Sequence, residues 1–282
     1  MILNSGLSAS KACNAVSLSK PTFYRWKKND ALPDPDIHLR PIIHDIALHF
    51  PKYGYRRITH DLHRKGFVVN HKRVLRIMKE DNLLCIRKKF RPITTQSNHG
   101  HKIYPNLVLN MEITRINQVW VSDITYIRLL REFVYLAVIL DLFSRKCIGW
   151  KLSRSIDAVL TLGSLEMAIA GRRQHGFGGL IHHSDQGVQY AAASYAERLM
   201  GEGIKISMSR RGNVYDNAFA ESFMKTLKAE EVEMNEYGTF EDAQTNIGWF
   251  IDEVYNKKRL HSSIGYKPPV EFEQEALNRS LT

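Results

Sequence analysis

Three acids stand in company that does not suit them. Asp123 lies inside Val119-Trp120-Val121-Ser122-Asp123-Ile124-Thr125-Tyr126-Ile127, Asp185 closes Gly179-Leu180-Ile181-His182-His183-Ser184-Asp185, and Glu221 sits among Ala218, Phe219, Ala220 and Phe223. Acids are disfavoured in strands and rarely buried unless paired or metal-bound. Three that converge repel one another in a low-dielectric interior, and bound Mg²⁺ is the natural compensation. No matching cluster of His or Cys points to zinc. Two ions roughly 3.5–4 Å apart can activate a hydroxyl nucleophile and stabilise the leaving oxygen of a phosphodiester. Asp123 would bridge both, and Asp185 and Glu221 would each favour one. The residues alone leave simpler readings open: Asp185 as the cap of the turn into Gln186-Gly187, and Glu221 as the i+4 partner of Lys225.

The elements that must hold these acids can be read from periodicity. The Val119–Ile127 run is rich in β-branched and aromatic residues and predicts a strand. Phe133–Leu142 and Lys146–Leu152 predict two more, joined by short turns as an antiparallel meander, with Asp141 a turn residue. A helix over Ala158–Ala170, the strand ending on Asp185, a helix over Ala191–Met200 and a short strand over Ile204–Met208 follow. Ser209–Tyr215 reads as a loop, and Asp216 as the cap of a helix running to about Glu233. The order β-β-β-α-β-α-β-α predicts an α/β domain with a mixed sheet.

The first third is different. Residues 1–110 hold 20 Lys+Arg against 7 Asp+Glu, whereas residues 111–282 hold 20 against 22. A basic segment ahead of a near-neutral one points to nucleic-acid binding. Ser8–Val16 and Thr22–Lys28, around a turn with Ser19 as N-cap and Pro21 in the first helical turn, form a helix-turn-helix candidate over residues 1–30. Phe23 and Trp26 are read as its core, and Arg25, Lys27 and Lys28 as its charged face. A second helical unit spans 38–84: His38–Phe50, then Ile58–Lys65 stopped by Gly66, then a helix capped by Asn70. On that last helix Val74, Leu75 and Met78 face inward, and Lys72, Arg73, Arg76 and Lys79 face out as a helix beside a DNA groove would present them. A basic linker over 85–112 could track phosphates.

No stretch is long and apolar enough to span a membrane. The N-terminus carries no signal-peptide pattern, and Cys13, Cys85 and Cys147 form no disulfide framework, so a cytoplasmic, nucleoid-associated protein is expected.

Three blocks now resemble a known family: Trp120-Val121-Ser122-Asp123-Ile124-Thr125-Tyr126, His183-Ser184-Asp185-Gln186-Gly187-Val188-Gln189-Tyr190 and Asp216-Asn217-Ala218-Phe219-Ala220-Glu221-Ser222-Phe223. They are similar to the catalytic blocks of bacterial insertion-sequence transposases, second-frame chains with a retroviral-integrase-like core. Thirty-five residues separate Asp185 from Glu221, the spacing that names the group. Tyr53-Gly54-Tyr55-Arg56-Arg57-Ile58 upstream, and Tyr255-Asn256, Arg259, His261-Ser262 and Gly265–Pro269 downstream, match as well. The resemblance implies an RNase H-like core over 113–235 with a C-terminal helical extension over 236–282. It further implies two Mg²⁺ or Mn²⁺ ions per site and attack of a DNA 3′-hydroxyl on a phosphodiester. Asp123, Asp185 and Glu221 would be catalytic and metal-binding. Lys225 and Lys228, and Arg210 and Arg211 in the Ser209–Tyr215 loop, would contact DNA. Asn217 would orient the Glu221 helix or the DNA, His183 would support the metals, and Arg259 and His261 would either support the site or bind DNA. Partners would be double-stranded DNA, further copies of the chain, and a DNA-recognition segment encoded separately or fused by frameshifting. Two other readings remain open at this stage: a DNA-binding regulator with an inactive nuclease-like domain, and a hydrolytic nuclease.

Overall fold

The computed structural model describes residues 8–15, 17–30, 34–84, 102–209 and 218–280. Cys85, the linker to residue 101, Arg210, Arg211, Gly212, Asp216 and Asn217 lie outside the described residues, as do the side chains of Trp26, Lys27 and Lys28. The chain divides into two compact units, residues 1–85 and 86–282.

The first unit is all helix. α1 (Ala9–Ala15) and α2 (Lys20–Asp30) close on Cys13 and Phe23, with the Ser19 hydroxyl accepting from the Thr22 N–H. α3 (Arg40–His49), α4 (Tyr55–Arg64) and α5 (His71–Glu80) bury Ile43, Ile46, Ile58, Leu62, Val74, Ile77 and Met78. Asn70 caps α5 by accepting from the Lys72 N–H at 2.8 Å, and Gly66 ends α4 at a positive φ of 86°. One expectation needs correcting. Arg73 and Arg76 do not simply face outward. Both turn onto Asp36, which is fully buried, and Arg76 also reaches Glu80. An anion withdrawn from water needs such partners. Burial pushes the Asp36 carboxyl up, but the bonds from Arg76 and Arg73 outweigh it and hold the group below its usual range.

The second unit is a five-stranded sheet in the order β3-β2-β1-β4-β5. β1 (Val119–Arg128), β2 (Phe133–Asp141) and β3 (Cys147–Ser153) form the antiparallel meander, and β4 (Ile181–Ser184) and β5 (Lys205–Met208) add parallel to β1. This is the mixed sheet flanked by helices that the sequence predicts. Because side chains alternate across a strand, Trp120 and Ile139 face one layer and Val119, Val121, Ile127, Val134, Leu136 and Val138 the other. The first layer is α6 (Ala158–Arg172), α7 (Val188–Ala191) and α8 (Ala193–Gly201). The second is α9 (Ala218–Leu227) and α10 (Phe240–Trp249), with the π-helical turn Phe250–Tyr255. Gly149 permits the close approach of β3 and α6, since a Cβ there would stand 2.2 Å from the Ser164 carbonyl oxygen.

Two boundaries shift. Tyr104, Val108 and Met111, counted with the linker in the sequence, pack on this unit, and the Leu107 N–H donates to Ser207 Oγ at 2.9 Å. Residues 236–282 are no appended extension either. Tyr237, Ile247, Phe250, Ile251 and Tyr255 belong to the same core as β1 and β2. α11 (Pro269–Ser280) carries Glu273 into a buried cluster where Ser144, Lys146 and Arg172 all donate to its carboxylate. Asn256 brackets the start of β3, accepting from the Cys147 N–H and donating to its carbonyl, each at 2.9 Å.

Candidate active site

Strand register brings two of the acids together. In the parallel pair Val121 of β1 stands opposite His183 of β4. Two residues past that pair come Asp123, still within β1 and on the face of Val121, and Asp185, in the turn just beyond β4, near enough for its charge to act on Asp123. That face is set by Val119, Val121 and Ile181, which belong to the layer that α9 covers. Asp185 follows the last residue of β4 and opens a turn in which its Oδ1 accepts from the Gly187 N–H at 3.0 Å. A Cβ on Gly187 would stand 2.9 Å from that oxygen, so a side chain there would displace the Asp185 carboxylate.

Glu221 comes from the helix that packs over this face. α9 buries Ala220, Phe223, Met224 and Leu227, the 3.6-residue stripe that leaves Glu221 at its margin. Two contacts bracket it. Phe219 lies under the Arg145 guanidinium, 3.8 Å from the ring centroid, and Phe223 meets the Tyr255 ring edge to face at 4.7 Å. Tyr255 in turn packs on His261 at 4.6 Å. Beyond Leu227 the helix widens into a π-helical turn, Lys228–Val232, from which Glu230 receives Arg259 through Nε at 2.8 Å and Nη2 at 2.7 Å. Arg259 and His261, whose role the sequence leaves open, are buried and hold the end of the Glu221 helix. The roles of Tyr255, Glu230 and Arg145 escape sequence reading; an arginine in a tight turn and aromatics in a terminal helix carry no distinctive pattern.

The electrostatics follow from this packing. Burial is the main force on Asp123, Asp185 and Glu221 add repulsion, and the carboxyl is pushed up to about 7 despite a hydrogen bond from the Ile124 N–H. Lys228 pulls in the opposite direction. Each acid has a local donor: Ile124 N–H for Asp123, Gly187 N–H for Asp185 and the Lys225 ammonium, 3.6 Å away, for Glu221. Among the described residues no group of three or more His, Cys, Asp or Glu side chains is arranged to hold a metal ion as it stands. The donor chemistry of the three carboxylates nevertheless fits a hard divalent cation: all ligands are carboxylate oxygens, and one acid is held out of its usual range for want of a counter-charge.

The other expected residues fall into three groups. Lys225 is exposed and Lys228 half-buried, both on the flank of Glu221. Lys72 is exposed at the start of α5, while Arg73 and Arg76 are occupied by Asp36 as described. Arg210 and Arg211 are outside the described residues. His183 is buried between β1 and β5, its Nδ1 2.8 Å from Ser207 Oγ. Its neighbour His182 points to the opposite layer and meets the Tyr195 hydroxyl at 2.9 Å; burial lowers its pKa to about 3, so it is neutral.

Residues 113–214 match a family model described as an integrase core domain, residues 202–269 a second model of the same description, and residues 36–91 an HTH-like domain. The chain is 35% identical to the insertion element IS600 uncharacterized 31 kDa protein of Shigella sonnei, over 93% of this chain and 97% of that one. It is 37% identical to the transposase for insertion sequence element IS904 of Lactococcus lactis, over 84% and 92%. With transposase InsF for insertion sequence IS3A of Escherichia coli the identity is 34%, over 80% and 78%. Among solved structures, a chain of a simian T-cell lymphotropic virus intasome in complex with the PP2A regulatory subunit B56 gamma is 18% identical. It covers 83% of this chain and 74% of that one, with a TM-score of 0.46. The HTLV-2 integrase catalytic core domain in complex with magnesium is 16% identical over 56% and 96%, with a TM-score of 0.43.

Proposed function

Because the chain belongs to the insertion-sequence transposases with an integrase core, we propose that it cuts and joins DNA through Asp123, Asp185 and Glu221. The observation that carries this reading is the strand register. Asp123 lies two residues past Val121 on β1, Asp185 two residues past His183 in the turn that follows β4, and both other acids raise the proton affinity of Asp123. A transposase is a polynucleotidyl transferase, so its site must hold charge that develops on a phosphodiester. Bound by the three carboxylates, one or two Mg²⁺ or Mn²⁺ ions would supply an activated hydroxyl and stabilise the leaving oxygen. Asp123, whose charge both other acids oppose, would be among the carboxylates that hold them. Asp185 is oriented by its turn with Gly187, and Glu221, whose contact with Lys225 is 3.6 Å, would be available to hold such a cation.

Lys225 and Lys228 line the flank of the same helix and are assigned to the phosphates of the bound DNA end. Lys72, with Arg210 and Arg211, is assigned to phosphates elsewhere on the duplex. Arg73 and Arg76 contribute there only through the charge that Asp36 leaves unspent. Two DNA ends must meet for transposition, so assembly of more than one copy on DNA is part of the proposal, as is help from a separately encoded or frameshift-fused recognition segment.

The test uses the full chain, Mg²⁺ and labelled duplexes carrying the DNA ends that flank its gene. Joined products are expected, and Glu221→Gln should abolish them while DNA binding stays within about twofold of the parent, since only a metal ligand is neutralised. Cleaved but never joined DNA would make the protein a nuclease. Continued joining by the variant would remove Glu221 from the site.

A further inference from the structure

β1 outruns its parallel neighbour. Its pairing with β4 ends at Val121 and His183, while its pairing with β2 continues to Arg128 and Phe133. From Asp123 onward, therefore, one edge of β1 has no strand beside it among the described residues. Lys228 crosses the chain at that edge. It starts on the α9 side of the sheet, and its Nζ ends 4.6 Å from the centroid of the Tyr126 ring, a residue of the opposite face. The same ammonium lies in the field of Asp123. The ring it rests on is held in turn: Phe133, diagonal to Tyr126 across the hairpin, meets it edge to face at 5.9 Å and 72°.

A lysine ammonium on four methylenes is a compact charge with many rotamers, and ordering it costs entropy at the moment of binding. An aromatic face attracts such a cation and narrows its range before the ligand arrives. Lys225, one turn earlier and exposed, makes among the described residues a loose contact with Glu221 at 3.6 Å. The two lysines differ, then, in how far they are organised beforehand.

We propose that Tyr126 is a positioning residue: its ring holds the Lys228 ammonium at the open edge of β1, beside Asp123, where it meets a phosphate of the bound DNA. The inference rests on the assignment of Lys228 to DNA made above. It predicts that the ring and the ammonium act as one unit, and that the aromatic face matters and the hydroxyl does not.

The test measures binding of the full chain to a blunt duplex carrying the flanking DNA end, by fluorescence anisotropy in chelator across a range of KCl. Lys228→Ala should flatten the dependence of log K on log salt by about 0.9, the loss of one phosphate contact. Tyr126→Leu should weaken binding about two- to fivefold at low salt, the range of a cation–π contact, and should add nothing to Lys228→Ala in the double variant. Tyr126→Phe and Tyr126→Trp should bind as the parent does. A Tyr126→Leu protein with parental affinity beside a weakened Lys228→Ala protein would overturn the positioning role and leave the lysine's assignment standing. An unaffected Lys228→Ala protein would remove both. Additive losses would show that Tyr126 acts on its own. Should the leucine variant fail to fold, the phenylalanine and tryptophan variants decide: weakened binding by both overturns the role of the ring face.

Discussion

Replacing Asp123 by asparagine should stabilise the metal-free protein. The folded-state carboxyl is pushed up to about 7 from the 3.8 of an ordinary aspartate. The folded protein therefore binds more protons than the unfolded chain between those values, and its stability falls as pH rises through that window. Three pKa units correspond to about 4 kcal/mol as a ceiling. Residual water access and relaxation of neighbours bring the expected gain nearer 2 kcal/mol. The asparagine keeps the oxygen that the Ile124 N–H requires, so what changes is the charge. For a unit of this size that gain is roughly 4–8 °C in melting temperature. The assay is thermal unfolding in chelator from pH 4 to pH 8.5. The variant and the parent should coincide at the acid end, diverge from about pH 4 upward and hold a constant difference above pH 7. Adding Mg²⁺ at pH 8 should reverse the order, because only the parent gains from binding. An asparagine variant no more stable than the parent at pH 8 in chelator would mean that neither burial nor the other acids hold Asp123 above its usual range, and the convergence argument would lose this support.

Three further outcomes are expected. Glu273→Ala leaves Lys146 and Arg172 without their shared anion in a buried cluster, which should cost about 3–5 kcal/mol in chemical denaturation; Glu273→Gln should recover part of it. Arg259→Ala strips Glu230 of its partner at the end of the Glu221 helix, so strand transfer should fall at least tenfold at saturating DNA while duplex affinity holds. Removing residues 1–101, a cut that spares Tyr104, Val108 and Met111 on the catalytic unit, should sharply weaken DNA binding and its salt dependence without lowering the melting temperature of that unit.

Sequence reading went furthest where residue type and surroundings disagree. Asp123 in a β-branched run and Asp185 at the end of an apolar one stand out on period and composition alone. The strands around them follow from the same pattern. What stayed hidden depends on pairings between distant segments. Asp36 captures Arg73 and Arg76 from across the helical unit, so a face that reads as free charge is partly spent on an internal anion. Glu273 is one acid among several on an ordinary terminal helix until the fold delivers two cations to it. Tyr126 reads as a strand aromatic, and only the early end of β4 shows that a lysine from the far side of the sheet can reach it. The last 47 residues read as an extension because their apolar positions declare a helix but not its partner.

The π-helical turn at Lys228–Val232 holds one more residue than an α-helix would need to span the same distance. Deleting one residue there would restore regular winding and keep the register beyond it; deleting two would swing everything past the turn by about 100°. Asp123, Asp185, Glu221 and the gap of 35 between the last two would all survive, and the catalytic signature would read as intact. With two residues gone, Glu230 would nonetheless turn away from Arg259, and the helix carrying the third acid would lose its far anchor. Among copies of such genes that accumulate small deletions, inactivation can therefore sit in a stretch no signature inspects. Whether a chain of this kind is still competent is written partly in the length of one helical turn.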